Sequence, residues 1–264
     1  MALTMGTGPF GPDAAGTFNF TRQGPAHVLY FEPVAKRIRT RLGEATVADS
    51  EATMLLHETG LPPVYYFPLA DVRQDLLEAT GHTSHCPFKG DATYWTVRVA
   101  GRTAENAVWG YPQPLDSAPP IRGYVAFYTD RMDAWLEEDE QVHGQPRDPY
   151  HRVEVLDASR RVRVSAAGQV IAESGRPKLL LETGLPPRLY LPAEDARAGV
   201  LVPSDTHTTC PYKGLASYWS AQVDGTLVDD AAWGYPRPLP MAVPVAGHVC
   251  FDDSKVEVEQ TGRG

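Results

Sequence analysis

Short stretches of alternating apolar and polar side chains run through this chain and predict β-strands. Arg37-Ile38-Arg39-Thr40-Arg41-Leu42, Trp95-Thr96-Val97-Arg98-Val99 and Arg161-Val162-Arg163-Val164 each send every second side chain to one face. Val64-Tyr65-Tyr66-Phe67 and the run from Gly123 to Tyr128 are aromatic and β-branched segments of strand length. Ala100-Gly101-Arg102 and Asp224-Gly225-Thr226 carry hairpin-turn signals between strands. A single helical turn is predicted after Pro68, around Leu69 to Leu77. With 24 prolines and 23 glycines the chain leaves little room for longer helices.

The pattern then repeats. Glu58-Thr59-Gly60-Leu61-Pro62-Pro63 returns as Glu182-Thr183-Gly184-Leu185-Pro186-Pro187. Cys86-Pro87-Phe88-Lys89-Gly90 returns as Cys210-Pro211-Tyr212-Lys213-Gly214, and Trp109-Gly110-Tyr111-Pro112 as Trp233-Gly234-Tyr235-Pro236. The offset is constant, since 182 − 58, 210 − 86 and 233 − 109 all equal 124. His27 and His151 share it, as do Phe127 and Phe251. Two homologous units therefore stand in tandem. The expected layout is an N-terminal arm over 1–26, a first β unit over 27–135, a linker over 136–150, a second β unit over 151–259 and a loose tail over 260–264. Phe10, Phe18 and Phe20 are apolar enough to pin part of the arm to a domain surface. The predicted class is all-β: about six to eight short strands per unit, in two packed sheets or a distorted barrel, with very little helix.

Composition narrows the chemistry. The chain has 264 residues and a formal net charge of −9, which argues against a broad nucleic-acid-binding face. No apolar run approaches a membrane span, and the first residues lack the features of a secretory signal, so a cytoplasmic location is expected. Three cysteines without a C-x-x-C pair suit neither a structural zinc site nor a disulfide framework. No metal and no cofactor is expected.

Candidate chemistry sits in the repeated segments. Glu58 and Glu182 follow apolar runs, so each carboxylate should be paired with a cation or line a cavity. Lys89 and Lys213 lie in tight Pro-x-x-Gly turns that aim the ammonium. Such a lysine can pair with a carboxylate, anchor an anionic ligand, or act as acid, base or imine former. Lys89 with Glu58 and Lys213 with Glu182 are the expected pairs, with a purely structural role left open. Cys86 and Cys210 are candidate nucleophiles or buried fillers, and Lys89 or His85 could activate the first. Tyr94, Trp95, Trp109 and Tyr111, with Tyr218, Trp219, Trp233 and Tyr235, are either pocket walls or core. Tyr94 and Trp95 are adjacent and must face opposite ways on a strand. His57, His82 and His85 have no histidine at the equivalent positions 181, 206 and 209, so no histidine mechanism is expected to be common to both units.

At these residues the chain resembles domain-of-unknown-function family 427. The segment from Cys86 to Trp95, Trp109 to Pro112, the strand Gly123 to Phe127 and their second copies look like its signature. The resemblance implies a β-tent or Mss4-like architecture, two antiparallel sheets meeting around a cleft. Relatives of that architecture include zinc modules, methionine sulfoxide reductases and small-ligand binders, and this chain lacks the zinc cysteines. A nucleotidyltransferase label is also attached to the family. No Gly-Ser motif with paired aspartates supports it here, and it stands as a weaker alternative. Cys250, where the first unit has Ala126, marks the second unit as the less complete site. The leading expectation is a cleft in each unit for a small polar or anionic organic molecule. Its rival is a non-catalytic interaction or scaffold module, a monomer with internal pseudo-symmetry or a weak homo-oligomer.

Overall fold

A computed structural model describes residues 3–21 and 23–261, and the chain divides into units 1–150 and 151–264. The first unit contains β1 (Leu29–Pro33), β2 (Ile38–Leu42), β3 (Ala45–Ser50), β4 (Met54–Glu58), β5 (Leu61–Pro68) and β6 (Leu77–Cys86). It continues with β7 (Gly90–Val99), β8 (Arg102–Gly110), β9 (Tyr124–Phe127), β10 (Ala134–Glu137) and β11 (Glu140–Val142). A seven-stranded antiparallel sheet runs in the order β1-β4-β5-β9-β8-β7-β6, and a smaller sheet runs β11-β10-β2-β3. The second unit contains β12 (Val153–Asp157), β13 (Arg161–Ala166), β14 (Gln169–Ser174), β15 (Lys178–Glu182) and β16 (Arg188–Pro192). It is completed by β17 (Leu201–Cys210), β18 (Gly214–Val223), β19 (Thr226–Gly234), β20 (His248–Phe251) and β21 (Glu257–Thr261). Its large sheet is β12-β15-β16-β20-β19-β18-β17 and its small one β14-β13-β21. The fold is all-β, with more strands per unit than the pattern predicted, because short edge pieces such as β1 and β11 carry little alternation of their own.

The alternation explains the layers. In β5, Tyr65 and Phe67 face the small sheet and join Ile38, Val47, Val97 and Trp135 in a buried core between the sheets. Tyr66 points the other way and packs with Leu56, Ala92, Tyr94, Tyr111 and Ile121 on the outer face of the large sheet. The second unit repeats both layers, with Val162, Ile171 and Phe251 inside and Leu180, Tyr190, Tyr212 and Tyr235 outside. The large sheet thus buries apolar side chains on both faces.

Several local expectations change. Residues 136–150, read as a linker from their acidic and proline content, supply the end of β10 and all of β11, because Trp135 and Leu136 pair across to Val142 and Gln141. Gln260 and Thr261, read as loose, are held in β21 by pairing with β13, and residues 262–264 lie outside the described residues. Residues 1, 2 and 22 of the arm also lie outside them. Its remainder is fastened mainly through its backbone. Gly60 N donates to Thr4 O at 2.8 Å and Thr59 Oγ1 to Phe10 O at 3.1 Å, whereas Phe18 and Phe20 are exposed. The turn after Pro68 is two 3-10 turns, Leu69–Asp71 and Gln74–Leu76. The hairpin turns stand where predicted, with positive φ at both Ala100 and Gly101 and at both Asp224 and Gly225. The edge strands β6 and β17 are each broken by a register shift, between Ala79 and Thr83 and between Pro203 and His207. Among the described residues no helix is long and apolar enough to cross a membrane.

Candidate functional site

Two hairpins bring the repeated acid and base together. β4 and β5 turn through Thr59-Gly60, where Gly60 adopts φ +80, a value that favours glycine. β6 and β7 turn through Pro87-Phe88-Lys89, closed by the Cys86–Gly90 pair and a Lys89 N to Cys86 O hydrogen bond of 3.3 Å. Gly90 has φ +100, and a Cβ there would lie 3.3 Å from Gln113 O. That close approach lets Leu115 N donate to Lys89 O at 3.1 Å, which draws the segment after β8 over the turn. The second unit is built alike: Gly214 has φ +101, and Leu239 N donates to Lys213 O at 3.0 Å.

The result on the outer face of the large sheet is a buried carboxylate held by a lysine and a histidine. Glu58 Oε2 accepts from Lys89 Nζ and Glu58 Oε1 lies 2.9 Å from His27 Nε2. Lys89 and Glu58 are 7% and 6% exposed, while the His27 side chain retains 23%. In the second unit Glu182 binds Lys213 through Oε2, and its Oε1 lies 3.1 Å from His151 Nε2. Each imidazole is stacked by the aromatic residue of the lysine turn. His27 lies 3.7 Å from Phe88, ring centre to ring centre, and His151 3.8 Å from Tyr212. Tyr111 and Tyr235 present their rings to the two ammonium groups at 5.8 and 5.9 Å. Burial raises the Tyr66 and Tyr111 phenols, so both stay protonated at neutral pH.

The expected pairs Lys89–Glu58 and Lys213–Glu182 are both present, and Tyr111 and Tyr235 adjoin them. Cys86 and Cys210 are half-buried at the ends of β6 and β17 and pack against the same outer-face clusters. Tyr94 belongs to that layer, its hydroxyl 2.7 Å from Ser84 Oγ, and Tyr218 mirrors it at 3.0 Å from Thr208 Oγ1. Trp109 hydrogen-bonds Tyr66, and Trp233 Nε1 donates to Tyr190 OH at 3.1 Å. Three groups do not join. Trp95 and Trp219 follow Tyr94 and Tyr218 directly, so the pleat sends them through the sheet onto the core between the sheets. His85 precedes Cys86 and for the same reason points away from that layer, exposed and 2.7 Å from Asp91 Oδ1. Among the described residues no three His, Cys, Asp or Glu side chains gather to hold a metal ion.

The expectation that no histidine mechanism is common to both units rested on His57, His82 and His85, but His27 and His151 each stand on the repeated carboxylate. Their shared offset was the available signal. So was their spacing: His27 to Glu58 and Glu58 to Lys89 are both 31 residues apart, as are His151, Glu182 and Lys213. The second unit, expected to be the less complete, holds the same triad. Cys250 simply fills outer-layer space beside Leu180 and Tyr190.

Two outcomes follow from these environments. Burial alone would raise the Glu182 carboxyl, but the hydrogen bond from His151 and the charge of Lys213 outweigh it, and the group sits below its ordinary 4.5. A carboxylate depressed in the folded state contributes stability in full above that ordinary value and loses it as pH falls through the folded-state value. Urea unfolding of the second unit should therefore weaken below pH 4.5, less steeply in Glu182→Gln. Burial also pushes the Cys250 thiol up to about 12. Iodoacetamide at neutral pH should modify Cys86 and Cys210 in the native protein and reach Cys250 only at the rate of unfolding.

The tandem signature now rests on a twice-built site, and the family model described as Domain of unknown function (DUF427) matches residues 30–138 and again 154–262. The chain belongs to this family. Each DUF427 match takes in the Glu–Lys pair and nearly all of the strands of its unit; the first ends before β11, and His27 and His151 precede the matches. No curated protein matches the chain.

Proposed function

We propose that the first unit binds a small polar organic molecule where its His–Glu–Lys triad meets solvent; the His151 side chain of the second unit's triad is 2% exposed and stays beneath the surface. The observation that carries this reading is the placement of His27. Glu58 and Lys89 hold it from beneath, and its ring forms part of the wall of a groove of about 640 Å³. Phe10 and Pro25 of the arm, Phe88 of the lysine turn and Pro119 of the overlying segment line the same groove. Lys89 is neutralised by Glu58, so it serves less as a free anion anchor than as the group that fixes the carboxylate. Glu58 takes Nε2 and leaves Nδ1 as the ring nitrogen for a ligand proton. A carboxylate-oriented imidazole at a groove is also the arrangement a general acid or base requires, and any chemical step here would use His27 in that role. A lysine buried against its carboxylate is poorly placed to form an imine. The β-tent likeness, whose relatives include small-ligand binders, agrees with this reading. Three free thiols agree with a cytoplasmic setting.

The test is a crystal soaked in a cell metabolite extract, compared with the His27→Gln/His151→Gln variant. Density against the His27 ring in the parent, lost in the variant, is the expected result. An empty groove in both would sink the proposal. A second reading, an interaction module with a structural triad, is favoured by the burial of Lys89 and Glu58. Under it the histidine variant would keep every partner of the parent protein.

A further inference from the structure

The second unit has another cavity, of about 490 Å³, with Trp219 and Tyr235 among the residues that line it. Ala193, Ala196, Ala198 and Gly199 line one side and His248 another. The first unit shows what opens this space. At the offset of 124 those four small residues replace Leu69, Val72, Gln74 and Asp75. Gln74 Nε2 donates to Leu69 O at 3.1 Å, so a side chain bridges the two positions that the second unit fills with Ala193 and Ala198. Asp75 is tied to Arg73 at 2.7 Å, whereas a Cβ on Gly199 would meet nothing within 4 Å. All four differences shorten the side chains of this segment while the tryptophan is kept.

We infer that this cavity binds an uncharged planar aromatic molecule, such as a naphthol or an indole. The volume falls within the range of small-molecule pockets, roughly 300–1,000 Å³. The indole offers a face or edge for ring packing. At the rim Glu194 and Arg197 carry opposite charges and are already engaged, with Arg176 at 3.0 Å and Gln169 at 2.9 Å, so neither sign of ligand charge is favoured. His151, Glu182 and Lys213 are not among the residues that line this cavity, although Tyr235, which adjoins Lys213, is.

The test titrates 2-naphthol into the full chain labelled with nitrogen-15 at its five tryptophans, with the indole signals assigned by single Trp→Phe variants. The Trp219 signal should move and saturate while Trp95 stays still. Ala198→Gln, which restores the bridge of the first unit at an exposed position, should weaken binding by an order of magnitude or more. Unmoved Trp95, Trp109 and Trp135 signals in that variant would show that the rest of the chain is intact. A Trp219 signal that never saturates, an equal response at Trp95, or unchanged affinity in Ala198→Gln would overturn the inference.

Discussion

Lys89→Met should lower the stability of the first unit by about 3–5 kcal/mol, the usual loss when one member of a buried ion pair is removed. The cause is the orphaned Glu58 carboxylate. It is 6% exposed, and it keeps only His27 as a partner once the ammonium is gone. Methionine fills much the same volume, so packing against Tyr111 changes little. The fold should survive, since a domain commonly holds about 5–15 kcal/mol. The control is Lys89→Met with Glu58→Leu, which removes both charges together. An apolar replacement of a whole pair is often neutral, so the double variant should recover most of the loss. Urea unfolding read through amide exchange in β4 and β7 measures both. A single variant that unfolds at the parent's midpoint would mean that water reaches the pair freely.

The second large effect is at a glycine without unusual dihedrals. Gly234→Ala would place a Cβ 2.6 Å from the carbonyl oxygen of His248 and 3.4 Å from Trp219 Cζ3. The obstacle is backbone, so no side chain can swing aside, and β19 must move from β20. Those strands pair only at Ala232–Phe251 and Trp233–Cys250, which leaves little to absorb the shift. A loss of about 3 kcal/mol is expected, the upper part of the overpacking range. Gly110→Ala meets Tyr124 O at 3.0 Å and should cost less. Amide exchange in β19 and β8 separates the two, and equal losses would contradict this account.

The same close packing explains why the sheet layers were legible in the residues and the site only partly. Alternation in β2, β5 and β7 announced strands with two faces, and the adjacency of Tyr94 and Trp95 announced that only one could join Lys89. The acid and base could be paired by the apolar run before Glu58 and the rigid turn around Lys89. His27 escaped notice because it lies outside those motifs, just ahead of β1, and reaches Glu58 only through the pairing of Leu29 with Glu58. His85 drew attention through proximity in sequence, yet one residue along a strand is a reversal of direction. The role of 136–150 was hidden for another reason. Glu138, Asp139 and Glu140 face solvent while Glu137 is buried against Tyr65 and Lys36, so composition resembles a linker although the backbone is paired.

The register shifts in β6 and β17 bear on how readily a protein so rich in sheet can pair edge to edge. Each is the last strand of its large sheet, ten residues long, and would offer a neighbouring molecule a row of open amide and carbonyl groups. A bulge in the middle of each bends that row, Pro203 removes one donor from β17, and histidine and threonine rather than leucine or valine crowd the exposed β6. A fibril needs a long flat rim, and neither of these strands supplies one.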